Sequence, residues 1–334
     1  MGKLSNSGID YSGRFEKTAE TDIYLEEIPL EIAAEFVLQH HYSKVMPKQT
    51  KIILGAYKGK NGPLVGVITL GWGVRPKDTI RRLFPSLDSK DYLEIGKLCV
   101  HDSEPKNTES RILAVTIKWL KKNRPDLKVL FTWADALWGK PGYIYQAANF
   151  YYGGFIWTDI YADKNMVRFH PRQLPAKLRS EGIEPNSPEH RKVWGAKNGI
   201  GSCRPKKRQL AERGWKHYFG MQFRYVYFLT DKLKESLLAE SAEAKTISYA
   251  HGSHGYGRAT EIVSKTINKP SIIWRRPEKK GENIYPKFDS IKWRVDDGIE
   301  KDGKPSKPIF CGKPEFGAAF DPNRISIPRI KRGK

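Results

Sequence analysis

A carboxylate, a phenol and a pair of imidazoles are the groups whose positions in this chain suit chemistry. Asp135 follows the apolar run Lys128 to Trp133 and so falls at a strand's end, where open sheets form ligand crevices. A carboxylate there can accept a proton or a hydrogen bond, or simply cap a turn. Tyr145 lies beyond the GKPG turn at 139–142. It can donate a proton or stack on a planar ligand, or be a core tyrosine with a satisfied hydroxyl. His40 and His41 end a helix that opens at Pro29, where the macrodipole favours a protonated imidazole in a capping role. Glu94 and Lys97 share one strand-like run, either as a structural charge pair or as part of a cleft.

A second group lies in VHDSEPKNTESR at 100–111. Asn107 or Thr108 caps the helix that follows, and Ser110 and Arg111 fall in its first turn. Free amides at a helix start bind anions. Arg111 can hold a donor's carboxylate or phosphate there, or pair with Glu109 or Asp102 at the surface. The block has no glycine and carries two glutamates, which disfavours a conventional acyl-CoA site.

Net charge is +22 over 334 residues, a field that gathers polyanions. Arg75, Lys77, Arg81 and Arg82 cluster in one expected loop, and Arg204, Lys206, Lys207 and Arg208 in another. Such groups neutralise phosphates without reading sequence; the bland alternative is a solvated face. Trp138, after Asp135, and Trp72, near the end of a hairpin, are candidates to hold a base taken out of the stack, or else core residues. The three cysteines form no CxxC pair, which argues against a disulfide framework and a cysteine zinc site. No apolar run of about 18 residues and no signal-peptide pattern occur, so a cytoplasmic protein is expected.

The elements that must position these groups follow from periodicity. Strands are expected at Asp22 to Ile28, Lys51 to Tyr57, Leu64 to Leu70, Tyr92 to Val100, Lys128 to Trp133, Phe155 to Ala162 and Phe223 to Leu229. Helices are expected from Pro29 to about His41, Asn107 to Asn123 and Tyr143 to Asn149. That order implies an α/β fold, with a mixed central sheet flanked by helices and the late strand inserted antiparallel. Residues 1–20 read as a loose arm, 21–235 as the catalytic domain with a basic insertion at 165–222, and 240–334 as a separate basic extension. Thr260 to Asn268 is a candidate short helix within that extension.

The element order resembles that of the GNAT acetyltransferase superfamily, without its glycine-rich signature. A narrower resemblance is carried by HHYS at 40–43, EIGKLC at 94–99, PKNTESRIL at 105–113, AD at 134–135, GYIYQAANF at 142–150 and RYVYFL at 224–229. These blocks, in this order, are similar to those of the Mom family and cover roughly residues 22–230. The resemblance implies a phage-encoded, GNAT-like transferase that places a carbamoylmethyl (glycinamide-type) group on the exocyclic amine of adenine in double-stranded DNA, masking restriction sites. It implies functional roles for His41, Tyr42, Asp135 and Tyr145, with Ser110 and Arg111 in the helix-start block. It also implies a bound iron, for which His41 and Asp135 are the candidate ligands. The group donor stays open, with an aminoacyl-tRNA as one option beside acyl-CoA. Two rival readings remain from the residues alone: a conventional acyl-CoA N-acyltransferase, and a non-catalytic DNA-binding protein.

Overall fold

Alternating β-branched and aromatic residues build the central sheet of this chain. The computed structural model describes residues 16–17, 23–43, 45–73, 76–184, 187–193, 205, 207–243, 246–249, 265–268, 272–279, 281–298 and 309–320. Its strands are β1 (Glu16–Lys17), β2 (Ile23–Glu27), β3 (Thr50–Lys58), β4 (Leu64–Gly71), β5 (Tyr92–Val100), β6 (Val129–Asp135), β7 (Tyr151–Ala162), β8 (Arg168–Phe169), β9 (Lys216–Phe228), β10 (Thr246–Tyr249), β11 (Lys265–Asn268), β12 (Lys292–Asp296) and β13 (Phe310–Cys311). Its helices are α1 (Leu30–His40), α2 (Pro76–Leu83), α3 (Thr108–Asn123), α4 (Tyr143–Ala147), α5 (Leu174–Ser180), α6 (Pro188–Val193), α7 (Lys207–Arg213) and α8 (Lys234–Glu243).

The main sheet runs β1-β2-β3-β4-β5-β6-β9-β12-β13, antiparallel except for the parallel pair β5 and β6. That pair needs a crossover, and α3 supplies it. Strand β9 inserts between β6 and β7 and pairs antiparallel with both. One face is covered by α3, whose Ile112, Leu113, Val115, Trp119 and Leu120 pack with Leu25, Leu54, Ile68, Leu130 and Tyr225. The alternate residues of the strands face the other way. There α1 packs on Val67 and Cys99, and α2 and α8 on Tyr92, Phe131 and Phe228. A fully buried Leu, Ile or Phe contributes about 1.5–3 kcal/mol, so this two-sided core is what fixes the sheet.

The mixed α/β architecture is as the element order implied, with four differences. Strand β9 begins at Lys216, well inside the stretch expected to be a basic insertion, because its first half has a partner in β12 at 217–220. The remainder of that stretch carries α5, α6 and α7 around Leu174, Leu178, Val193 and Leu210. The basic run Lys77, Arg81 and Arg82 lies on α2 rather than in a loop, since Ile80 and Leu83 anchor it to the sheet. Residues 265–268 of the expected helix Thr260 to Asn268 form β11, paired with β10, and 260–264 lie outside the described residues. Part of the extension expected to stand apart joins the main sheet: β12 takes up the line that β6 leaves at Asp135, and β13 pairs with it.

Candidate active site

The site begins where two strands part. Strands β5 and β6 pair only at Tyr92–Val129, Leu93–Leu130 and Glu94–Phe131, although β5 continues to Val100 and β6 to Asp135. Ile95 pairs with Leu70 and Lys97 with Thr69, leaving Gly96 as an extra residue on β5. Such a bulge re-aims the side chains that follow. A Cβ on Gly96 would lie 2.7 Å from Pro47 Cγ, so only glycine lets the 41–49 loop sit this close. The bulge puts Lys97 on the same side as Glu94, facing the open cleft instead of its strand neighbour. The pairing of Glu94 with Lys97 weighed from sequence is absent: Glu94 is raised to about 7 by burial alone.

Lys97 donates from Nζ to the Ser43 carbonyl at 3.2 Å, holding the loop after α1 against the cleft. Burial lowers Lys97 to about 8, while nearby Asp135 works to raise it. Asp135 itself is pushed up to about 6 by burial, against the opposing pull of the Leu137 amide, the Trp138 side chain, Lys97 and Lys140. Its Oδ1 is buried and accepts no hydrogen bond within the described structure, so one acceptor position is open to a donor. Lys140 lies with Nζ 4.2 Å from the centre of the Tyr42 ring, and feels Glu109 and Asp102 as well as Asp135.

Tyr42 is 36% exposed, yet its hydroxyl is raised well above the usual phenol range, first by burial and then by Asp135 and Tyr145. Tyr145, on α4, is buried, and burial raises its hydroxyl also. Both phenols therefore stay protonated and act as donors. Helix α4 starts at Gly142, where φ is +94° and a Cβ would meet the Tyr225 ring at 2.5 Å. His41 follows the last turn of α1, stacks on Tyr42 at 4.3 Å, and accepts the Ser43 N–H at Nδ1 over 2.9 Å. The same nitrogen lies 3.1 Å from the Ser43 carbonyl, so its donor or acceptor role follows the tautomer.

The model for the Mom protein family matches residues 22–249 of this chain. The chain belongs to the Mom family. A curated relative, the methylcarbamoylase Mom of Escherichia phage Mu, is 26% identical over 229 residues, covering 69% of this chain and 85% of that protein. Among solved structures, an IAA acetyltransferase from Bacillus cereus covers 62% of this chain and 99% of its own at 15% identity and a TM-score of 0.30. A GNAT family acetyltransferase from Elizabethkingia anophelis covers 62% and 98% at 16% identity and 0.29. Likeness at that level leaves the chemistry to be argued from the residues. Membership of the Mom family makes the chain a transferase.

Of the residues singled out by the Mom resemblance, Tyr42, Asp135 and Tyr145 come together, and His41 joins them through its stack on Tyr42. Ser110 does not join by any described contact. Its hydroxyl donates to the Asn107 carbonyl at 2.9 Å and that of Thr108 to Pro105 at 2.7 Å, both within the helix start. Asn107 caps α3 in the left-handed conformation without a side-chain bond, and Arg111 N–H donates to its carbonyl at 3.0 Å.

Trp138 has neighbours that leave little room for the stacked base expected of it. The Arg168 guanidinium lies 3.7 Å from its ring centre, with Tyr42 at 5.5 Å and Phe316 at 5.3 Å. Arg168 also donates to the carbonyls of Tyr42 at 3.1 Å and Gly317 at 2.9 Å. Trp72, the other candidate, donates to the Tyr92 carbonyl at 3.1 Å and packs on the core. Sequence reasoning missed Lys140 and Arg168. The GKPG turn was the only signal for the first, and an isolated arginine gives none for the second.

Of the two basic clusters, Lys77 and Arg81 are exposed on α2 and Arg82 is half-buried; Arg75, Arg204 and Lys206 lie outside the described residues. Lys207 opens α7, and Arg208 there is ion-paired with Glu212 at 2.5 Å. The implied iron fits poorly. No group of three or more His, Cys, Asp and Glu able to hold a metal occurs among the described residues. Asp135 lies between Lys97 and Lys140, whose charges oppose a cation there. No step below passes through a metal. No described helix is long and apolar enough to cross a membrane.

Proposed function

We propose that this Mom family chain modifies the exocyclic amine of adenine in double-stranded DNA, adding a carbamoylmethyl group that shields phage DNA from restriction. The observation that carries the reading is Asp135 at about 6 with an open, buried acceptor oxygen near the protonated phenol of Tyr42, which Tyr145 neighbours in turn. An amine conjugated to a purine is a weak nucleophile, so it needs an acceptor for its proton and a donor to polarise the incoming group. Asp135, mostly ionised at neutral pH, accepts the proton that the amine nitrogen loses as it bonds to the donor's electrophilic carbon. The donor's leaving group departs with the bonding pair. Tyr42 and Tyr145 donate hydrogen bonds to the charge that develops on the transferred group. Lys97 and Lys140 hold Asp135 in its ionised form.

The name methylcarbamoylase of the phage Mu relative supports the group transferred, and the +22 charge supports a nucleic-acid partner. For the donor, an aminoacyl-tRNA suits that charge better than acyl-CoA; attack on its ester carbonyl releases the tRNA hydroxyl and forms an aminoacyl amide, an isomer of the carbamoylmethyl group that a subsequent rearrangement converts to it. The test is plasmid DNA from cells expressing the chain, digested with endonucleases whose sites contain adenine. Protection that disappears with Asp135→Asn is expected; complete cleavage of both DNAs contradicts the reading.

A further inference from the structure

Beyond the end of β6 the sheet continues as β7, β9 and β12, and on one face of this continuation the outer residues Phe155, Trp157, Lys292 and Arg294 stand exposed while Met221 and Phe223 between them are buried. Paired residues share a face, so Phe155, Trp157 and Asp159 of β7 lie beside Phe223, Met221 and Phe219 of β9. Phe219 in turn lies beside Arg294 of β12. Phe155 is 38% and Trp157 45% exposed, with their rings edge-on at 6.0 Å. The Arg294 guanidinium lies 4.8 Å from the Phe219 ring centre and 5.7 Å from that of Trp157. Lys292, two residues earlier and so on the same side, is exposed as Arg294 is. The carboxylate in the row, Asp159, is turned to His217 Nε2 at 3.0 Å. The opposite face of the same strands is filled by Leu137, Tyr218, Trp293 and Phe316.

Neighbouring exposed aromatics flanked by cations mark a surface that something covers. We propose that this face binds unpaired bases of single-stranded DNA, with Trp157 and Phe155 stacking on bases and Arg294 and Lys292 holding phosphates. A base stacked on an aromatic ring is held whatever its sequence, because every base has a π-face. A second copy of the chain is the poorer occupant. Lysine is depleted from protein interface cores, and two copies at +22 each repel. The inference rests on the DNA reading above: an enzyme that takes adenine out of a duplex leaves unpaired bases behind. By register the face is opposite the one on which Asp135 lies, since Asp135 pairs with Gln222 and Gln222 with Ile156. It is therefore a contact separate from the reacting cleft.

The test is fluorescence anisotropy of the full-length protein with a labelled oligodeoxythymidine, a duplex and an RNA oligomer, for wild type, Trp157→Ala, Trp157→Phe and Arg294→Ala. Trp157→Ala is expected to weaken single-strand binding about tenfold or more and duplex binding about twofold or less. Trp157→Phe restores most of the loss, and Arg294→Ala weakens binding most at low salt. Should Trp157→Ala melt far below wild type, Trp157→Phe and Arg294→Ala carry the test. Unchanged single-strand affinity in the variants overturns the proposal, as does tighter binding of RNA than DNA, or a wild-type dimer that Trp157→Ala dissociates. Normal duplex binding with no effect of the variants sinks this inference alone; a wild type that binds no nucleic acid sinks the reading beneath it as well.

Discussion

Arg168 lies 3.7 Å above the Trp138 ring while its two terminal nitrogens reach the carbonyls of Tyr42 and Gly317. One side chain thus ties together the loop after α1, the turn after β6 and a C-terminal run beyond the family-matched residues 22–249. Lysine cannot reproduce that fork, because its single ammonium lacks the planar donor pair. Arg168→Lys is expected to lower the rate of DNA modification about tenfold or more, with a loss of stability of about 1 kcal/mol. A rate within about twofold of wild type would show that Arg168 positions nothing the reaction needs.

The titrating groups of the cleft fix a pH profile. Asp135 must be ionised, so kcat/KM rises with pH through about 6. Lys97 loses its charge only near 8, where Asp135 is ionised with or without it, so the profile holds its plateau there. In Lys97→Met the acid limb moves to higher pH, because a positive neighbour of the carboxylate is gone. The check is nucleoside formation in cell extract over this pH range. An acid limb that stays put in Lys97→Met contradicts the coupling of the two residues.

Asp135 should stabilise function at the expense of the fold. Its carboxyl is raised from 3.8 to about 6 by burial, so the folded state holds the proton more tightly than the unfolded chain. Its contribution to stability is then full below pH 3.8 and is lost as pH rises to about 6, a change of ~3 kcal/mol. Asp135→Asn carries no such loss. That variant is expected to be inactive yet to melt higher than wild type at pH 8, with the gap closing near pH 4. A lower melting temperature at pH 8 would show that the ionised carboxylate is stabilised by its lysines after all.

Gly142 opens α4 at a φ of +94°, with its α-carbon against Tyr225. Gly142→Ala combines backbone strain with a clash on a buried ring, and about 2–4 kcal/mol of destabilisation follows. Urea unfolding measures it. Because α4 carries Tyr145, activity should fall beyond what the loss of folded protein explains. Unaltered activity per folded molecule would detach Tyr145 from the reaction.

The fold was largely legible because its core strands and α3 carry strong periodicities, and Asp135 stood out at the end of an apolar run. The first half of β9 was not, since Lys216 to Gln222 owes its strand form to β7 on one side and, over 217–220, to β12 on the other, both distant in sequence. Tertiary pairing of this kind leaves little local mark. The charges around Asp135 were hidden for a related reason. Lys97 faces the cleft because of an extra residue at Gly96, and Arg168 arrives from β8, so neither position follows from spacing along the chain. Trp138 was read as a stacking platform by type alone; its partners Arg168 and Phe316 are distant in sequence and take the space.

The most direct measurement is mass spectrometry of nucleosides from DNA of cells expressing wild type or Asp135→Asn. A deoxyadenosine heavier by one carbamoylmethyl group, present with wild type and absent with the variant, is the result expected. Unmodified deoxyadenosine with wild type, or equal modification with Asp135→Asn, would contradict the account.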